Sequence, residues 1–249
     1  MNFKNLLLLI LLAPFLIFSC KNDDPIPQVT VKSGILTFNF SHSSDTSTLV
    51  QNGTTFYTNA AGNSFNVSTL KYFISNITLV KNDGSSIDYK IYKLIDAFDA
   101  SSQDLALMEV PNGDYKAIKF YLGIDSTLNH SGTQDGDLGS GTGMLWSWAS
   151  GYLFLKAEGF YKKGTSNVPY RFHIGTDAFL NKITNNVSFT VNGDNKTVFM
   201  HCNIAELFKN PNVYDISTGD DIQSFPNQTA TTAKLSANMA DMVSIVKVE

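Results

Sequence analysis

The chain has 249 residues, enough for a sizeable hydrophobic core in one large or two small domains. Charged residues are only 16% of it and hydrophobic ones 43%, a balance that, with 17 Gly, favours an extracytoplasmic β-rich protein over a cytosolic helical enzyme. A formal net charge of -4 with no Lys/Arg cluster argues against nucleic acid and anionic membrane surfaces as partners.

The chain begins MNFKNLLLLILLAPFLIFSC: Lys4, an apolar run over residues 6–18, then Ser19 and Cys20. The run is shorter than the roughly 20 residues of a transmembrane helix and reads as the h-region of a signal peptide. Ile17-Phe18-Ser19-Cys20 resembles a bacterial lipobox. That resemblance implies removal of residues 1–19, diacylation of the Cys20 thiol and a lipid-anchored mature protein; an ordinary signal peptide with an incidental Cys20 is the alternative. Residues 20–33 read as a polar, Pro-containing tether. Lys21-Asn22-Asp23-Asp24 looks like the Lys-plus-acidic signals of surface lipoproteins in Bacteroidetes-type bacteria. The expected location is the cell envelope, at the outer membrane, with surface exposure as the further extension. With Cys20 lipidated, Cys202 has no intramolecular disulfide partner and reads as a small buried hydrophobe.

Residues 34–40, GILTFNF, alternate with the period of a half-buried strand. Residues 41–54 read as a polar loop, and 54–58 as a short strand. Residues 65–80 carry strong β formers, with a short turn or helical start expected at STLK, 68–71. Asn82-Asp83-Gly84 signals a hairpin into a strand over 87–95. Residues 105–109 are short and apolar, PNGD (111–114) is turn chemistry, and YKAIKFYLGI (115–124) alternates as a strand. Residues 125–150 form a long loop rich in Gly, Ser and Asp; loops of that length in a compact domain are usually functional. Strands are expected over 152–161, 168–175, 186–191 and 196–202. Asn203-Ile-Ala-Glu206 reads as a capping box opening a short helix over 204–208, and 232–242 as a second helix before a last strand at 243–248. The pattern predicts one all-β domain over 34–249, a β-sandwich or flattened barrel of antiparallel strands with one or two short helices.

The four histidines are His42, His130, His173 and His201, with no HxH or HExxH spacing. Any one alone is an ordinary hydrogen-bonding imidazole. Their placement at strand ends and in the long loop is where functional residues collect. No G-x-S-x-G elbow exists, and LGSGTG (138–143) lacks a P-loop lysine. Asp125, Asp135 and Asp137 have no EF-hand spacing and read as solvated loop carboxylates. A glycosidase with spatially paired carboxylates stays open. GMLWSWASGY (143–152) holds both tryptophans, Trp146 and Trp148, between glycines. On a strand the two rings share a face; in a loop they line a pocket mouth. Indole has no lone pair for a metal. Oxidised to kynurenine, the side chain gains an aromatic amine and a carbonyl and can join imidazoles around a soft or borderline metal.

GMLWSWASGYLFLKAEG (143–159) looks like the signature of the MbnP-like, methanobactin-associated copper-binding protein family. FNFSH (38–42), LKYFISNITL (70–79), YLGID (121–125), FHIG (172–175) and SANM (236–239) agree in order. The resemblance implies a secreted or lipid-anchored β-sandwich that binds copper for capture, storage or delivery and is not an enzyme. It implies ligation by histidine imidazoles and by a kynurenine, made from tryptophan by a partner diheme enzyme related to cytochrome c peroxidases. Carried over, Trp146 or Trp148 is the modified residue, His42 and His173 are the preferred imidazoles, His201 is the reserve, and Met144 is a soft ligand for Cu(I). The alternative is a surface adhesin or carbohydrate- or protein-binding module that uses the Trp/Tyr loop.

Overall fold

The alternation that begins at Gly34 runs on to Ser44 in the computed structural model, which describes residues 32–147, 150–219, 222–223 and 230–249. Residues 1–31, with Cys20, and Trp148 lie outside the described residues. The strands are β1 (Ser33–Ser44), β2 (Ser47–Thr48), β3 (Tyr57–Thr58), β4 (Ser64–Phe65), β5 (Thr69–Lys81), β6 (Ser86–Asp96), β7 (Asp104–Pro111) and β8 (Gly113–Leu122). They continue with β9 (Leu145–Ser147), β10 (Gly151–Lys163), β11 (Ser166–Gly175), β12 (Asn181–Val191), β13 (Lys196–Asn203), β14 (Ile222–Gln223) and β15 (Val243–Val248). Two α-helices are described, α1 (Ser126–Asn129) and α2 (Ala230–Met239).

The strands form two sheets. A five-stranded sheet runs β15-β13-β1-β2, with β7 also along β1. A ten-stranded sheet runs β12-β8-β5-β10-β11-β14, with β6 along β5 and β3, β4 and β9 around β10. Inward side chains of β1 (Leu36, Phe38, Phe40) join those of β5 (Leu70, Tyr72, Ile74) in one buried core, as period-two alternation on facing sheets requires. The fold is the expected all-β sandwich, with one refinement. β1 pairs with β13 in parallel, as β11 does with β14. More than 150 residues separate β1 from β13, ample for the long crossover that a parallel pair needs.

Several local expectations shift for stated reasons. Residues 41–44 extend β1 because Ser43 and Ser44 pair with β2. STLK adopts no helical turn: Ser68 N–H donates to the Glu158 carbonyl, and β5 starts at Thr69. β12 starts at Asn181, five residues earlier than expected, because Asn181 and the polar KITNN segment after it gain ladder partners along β8 from Leu122 to Ala117. Asn203 caps the 3-10 turn Ile204–Phe208 by accepting from Ala205 N–H, while Glu206 accepts from the Asn203 amide rather than from the cap backbone.

The long loop is a second layer over the outer face of the larger sheet. It contains α1, 3-10 turns at Gly136–Leu138 and Ser140–Thr142, and β9. Tyr152 clamps it: its hydroxyl donates to the Leu138 and Gly132 carbonyls at 2.8 and 3.1 Å, and its ring meets Phe73 edge-on. The buried Asn129 accepts from Tyr152 N–H at 2.8 Å. Gly151 makes this approach possible, since a Cβ there would stand 2.2 Å from Asn129 Oδ1 at a left-handed φ of +76°.

Candidate metal centre

Antiparallel register places the first cluster. Lys71, Lys156 and His173 form one cross-strand row on β5, β10 and β11; Tyr72, Leu155 and Ile174 form the next. The second row is fully buried in the core, so the first row faces outward, toward the loop layer. His173 Nε2 lies 2.6 Å from Glu158 Oε1, and Lys156 Nζ reaches the same oxygen at 4.0 Å. Trp146, on β9, meets the His173 ring edge to face with centroids 6.3 Å apart.

Burial raises the Glu158 carboxyl, but the His173 hydrogen bond and the Lys156 charge outweigh it and hold the group below its ordinary range. Burial also lowers His173, only partly opposed by Glu158. A neutral imidazole donating Nε2–H to Glu158 carries its lone pair on Nδ1. A carboxylate fixing one ring nitrogen so that the other can coordinate is the usual outer support of a metal-ligating histidine.

The second cluster sits where β1 meets β13. His42 Nε2 is 3.0 Å from the Tyr72 hydroxyl, which approaches from the other sheet. Cys202, the ladder partner of His42, is fully buried, and burial pushes its thiol up to about 12. Burial, then the nearby His201, lowers His42 to about 4. His201 contacts Ser43 Oγ through Nε2 at 2.8 Å and Ser41 Oγ through Nδ1 at 3.0 Å. His42 and His201 line one cleft with Asp45, Thr48 and Gln103.

The structure thus brings His173 to Trp146 and His42 to His201. It does not bring His42 to His173, because Tyr72, the partner of His42, and His173 lie on opposite faces of the larger sheet. His130 pairs with Asp177 at 3.0 Å. Met144 is fully buried in the core cluster. Among the described residues, no three His, Cys, Asp or Glu side chains converge on a metal position. An imidazole oriented by a carboxylate is the kind of donor that a borderline metal such as copper takes, while the neighbouring Trp146 indole has no lone pair to add to it. Glu158 escaped sequence reasoning, although it lies inside GMLWSWASGYLFLKAEG, because its pairing with β11 is spatial.

A two-sheet sandwich with a tryptophan loop clamped across one sheet, above a carboxylate-held histidine, defines the class of protein. Residues 33–233 match the MbnP family model, and the chain belongs to the MbnP family. Among solved structures it is similar to MbnP from Methylosinus trichosporium, at 14% identity and a TM-score of 0.54, covering 87% of this chain and 100% of that one. At that identity the likeness is one of fold. A comparison with curated proteins finds no match.

Proposed function

We propose that this MbnP-family protein is a lipid-anchored copper-binding protein of the bacterial envelope, in which copper is cargo for capture, storage or delivery and no substrate is turned over. The observation that carries the reading is the edge-to-face contact of Trp146 with His173, itself hydrogen-bonded to Glu158. His173 supplies an imidazole nitrogen. A loop tryptophan, Trp146 or Trp148, supplies the second donor once a diheme partner of the cytochrome c peroxidase type, with dioxygen or two equivalents of hydrogen peroxide as oxidant, cleaves its indole C2–C3 bond and hydrolysis removes C2 as formate, leaving the arylamine and ketone of kynurenine. The position suits this partnership, since Trp146 is only half-buried, on the short strand β9 at the end of the long loop. His42 and His201, at the other cleft, form the competing pair.

The test is expression of the full chain with and without such a diheme enzyme, followed by copper analysis and mass spectrometry of the peptide spanning 125–150. Copper retention together with an indole-to-kynurenine mass change on one tryptophan supports the reading. Absence of both overturns it. Palmitate labelling that persists in Cys20→Ser would overturn the anchor.

A further inference from the structure

A separate cleft of about 370 Å³ opens on the outer face of the larger sheet, between β5, β6, β8 and α1. Its volume lies within the span of small-molecule sites. A bulge creates it. Asn76 has a left-handed φ of +48°, and the β5 register slips there against both β6 and β8. Bulges re-aim side chains, and this one points the Asn76 amide at Asp125, where Nδ2 donates to Oδ2 at 2.8 Å. The Tyr92 hydroxyl donates to the same oxygen at 2.5 Å, and the other Asp125 oxygen accepts from Leu128 N–H. Asp125 is therefore locked in place from three sides. On the facing wall, Asp88 accepts from Thr78 Oγ1 at 2.6 Å. Tyr121 forms a further wall, with Lys182 Nζ 5.2 Å from its ring centroid.

The mixture of groups selects the ligand. Two carboxylates disfavour an anion, and fixed polar groups disfavour a purely apolar molecule. Hydroxyl groups donate and accept at once, so they match fixed carboxylate acceptors next to amide and ammonium donors. Tyrosine rings provide the apolar surface that a sugar's C–H face covers. We infer that the cleft of Asn76, Asp88, Lys90, Tyr92, Tyr121 and Asp125 binds a pyranose unit of a glycan, at a place distinct from the Trp146–His173 cluster.

The test is amide-resolved NMR titration of the metal-free protein with a panel of methyl glycosides (glucose, galactose, mannose, N-acetylglucosamine) and the matching β-linked disaccharides. Saturable shifts at residues 76, 88–92, 121 and 125–128 with at least one sugar support the proposal. Tyr121→Ala should then weaken binding by about three- to tenfold, as loss of an aromatic contact does. Asn76→Gly, which keeps the left-handed backbone while deleting the amide, should weaken it severalfold. If Tyr121→Ala disturbs the fold, the exposed Asp88→Asn gives the same readout. Shifts confined to the Trp146 loop, shifts at the cleft with calcium chloride but no sugar, or no shift across the panel would each overturn the proposal.

Discussion

His42 and His173 lie on opposite sides of the ten-stranded sheet: His42 bonds Tyr72 on the inner face, and His173 stands in the outward row with Lys156. One copper ion cannot use both without opening the sandwich. On the proposed copper-binding reading, His173→Ala should abolish copper retention in protein co-expressed with a diheme enzyme, and His42→Ala should leave it within about twofold. Metal content after gel filtration decides. The reverse pattern would move the site to the His42–His201 cleft.

Glu158→Gln tests the support given to His173. The amide still accepts from Nε2–H, but it loses the charge that favours a strongly basic imidazole. Copper affinity should fall by about 10- to 100-fold, the usual effect of altering a ligand's hydrogen-bonding partner. Competition with a chelator of known affinity measures it. If the proposed kynurenine forms in the native chain, it should form in this variant too, which separates weak binding from failed modification.

His42 should impose a pH dependence on stability. The unfolded imidazole protonates near its ordinary 6.5, the folded one only near about 4. Unfolding takes up a proton between those values, so stability falls as pH falls through the window and is untouched by this group above it. At about 1.4 kcal/mol per unit, the loss from pH 7 to pH 4 is about 3 kcal/mol. Urea unfolding at several pH values should show this slope in the native chain. In His42→Asn it should be shallower; an unchanged slope would refute the assignment.

The sandwich and most strands were legible because alternation with period two survives even when tertiary partners are unknown. Leu36, Phe38 and Phe40 are all buried, as GILTFNF implies. What alternation does not carry is pairing. The sequence marks β12 only from Asn186, because the polar KITNN segment before it becomes a strand through its pairing with β8. The site was legible in part for the same reason. Trp146 and His173 stood out by residue type, whereas Glu158 and the separation of His42 from His173 depend on which strands adjoin and in what register. Asn76 is a further case: its left-handed backbone leaves no mark within a run of β formers.

Gly151→Ala should loosen the tryptophan loop. The added Cβ meets Asn129 Oδ1 at 2.2 Å on a backbone with φ of +76°. Strain and the lost Asn129–Tyr152 bond together should cost about 3 kcal/mol. Limited proteolysis should cut within 125–150 faster than in the native chain. Gly141→Ala, with no atom within 4 Å of its Cβ, is the control and should shift stability by less than about 0.5 kcal/mol.

Asn238 ties α2 to the turn that follows Phe208. Fully buried, it accepts from Asn212 N–H at 2.8 Å and donates to the Leu207 and Asn212 carbonyls at 2.9 and 2.7 Å. Asn238→Asp keeps the shape but has no N–H to give, so two carbonyls face a carboxylate in a buried site. Leaving buried acceptors unpaired, with a charge among them, should cost at least about 3 kcal/mol. Asn238→Leu removes the charge yet orphans the same backbone groups, so it should be comparably destabilising rather than a rescue. Denaturant midpoints at pH 7 measure both. A loss below about 1 kcal/mol in Asn238→Asp would mean that α2 is held by Leu235 and Met239 packing alone.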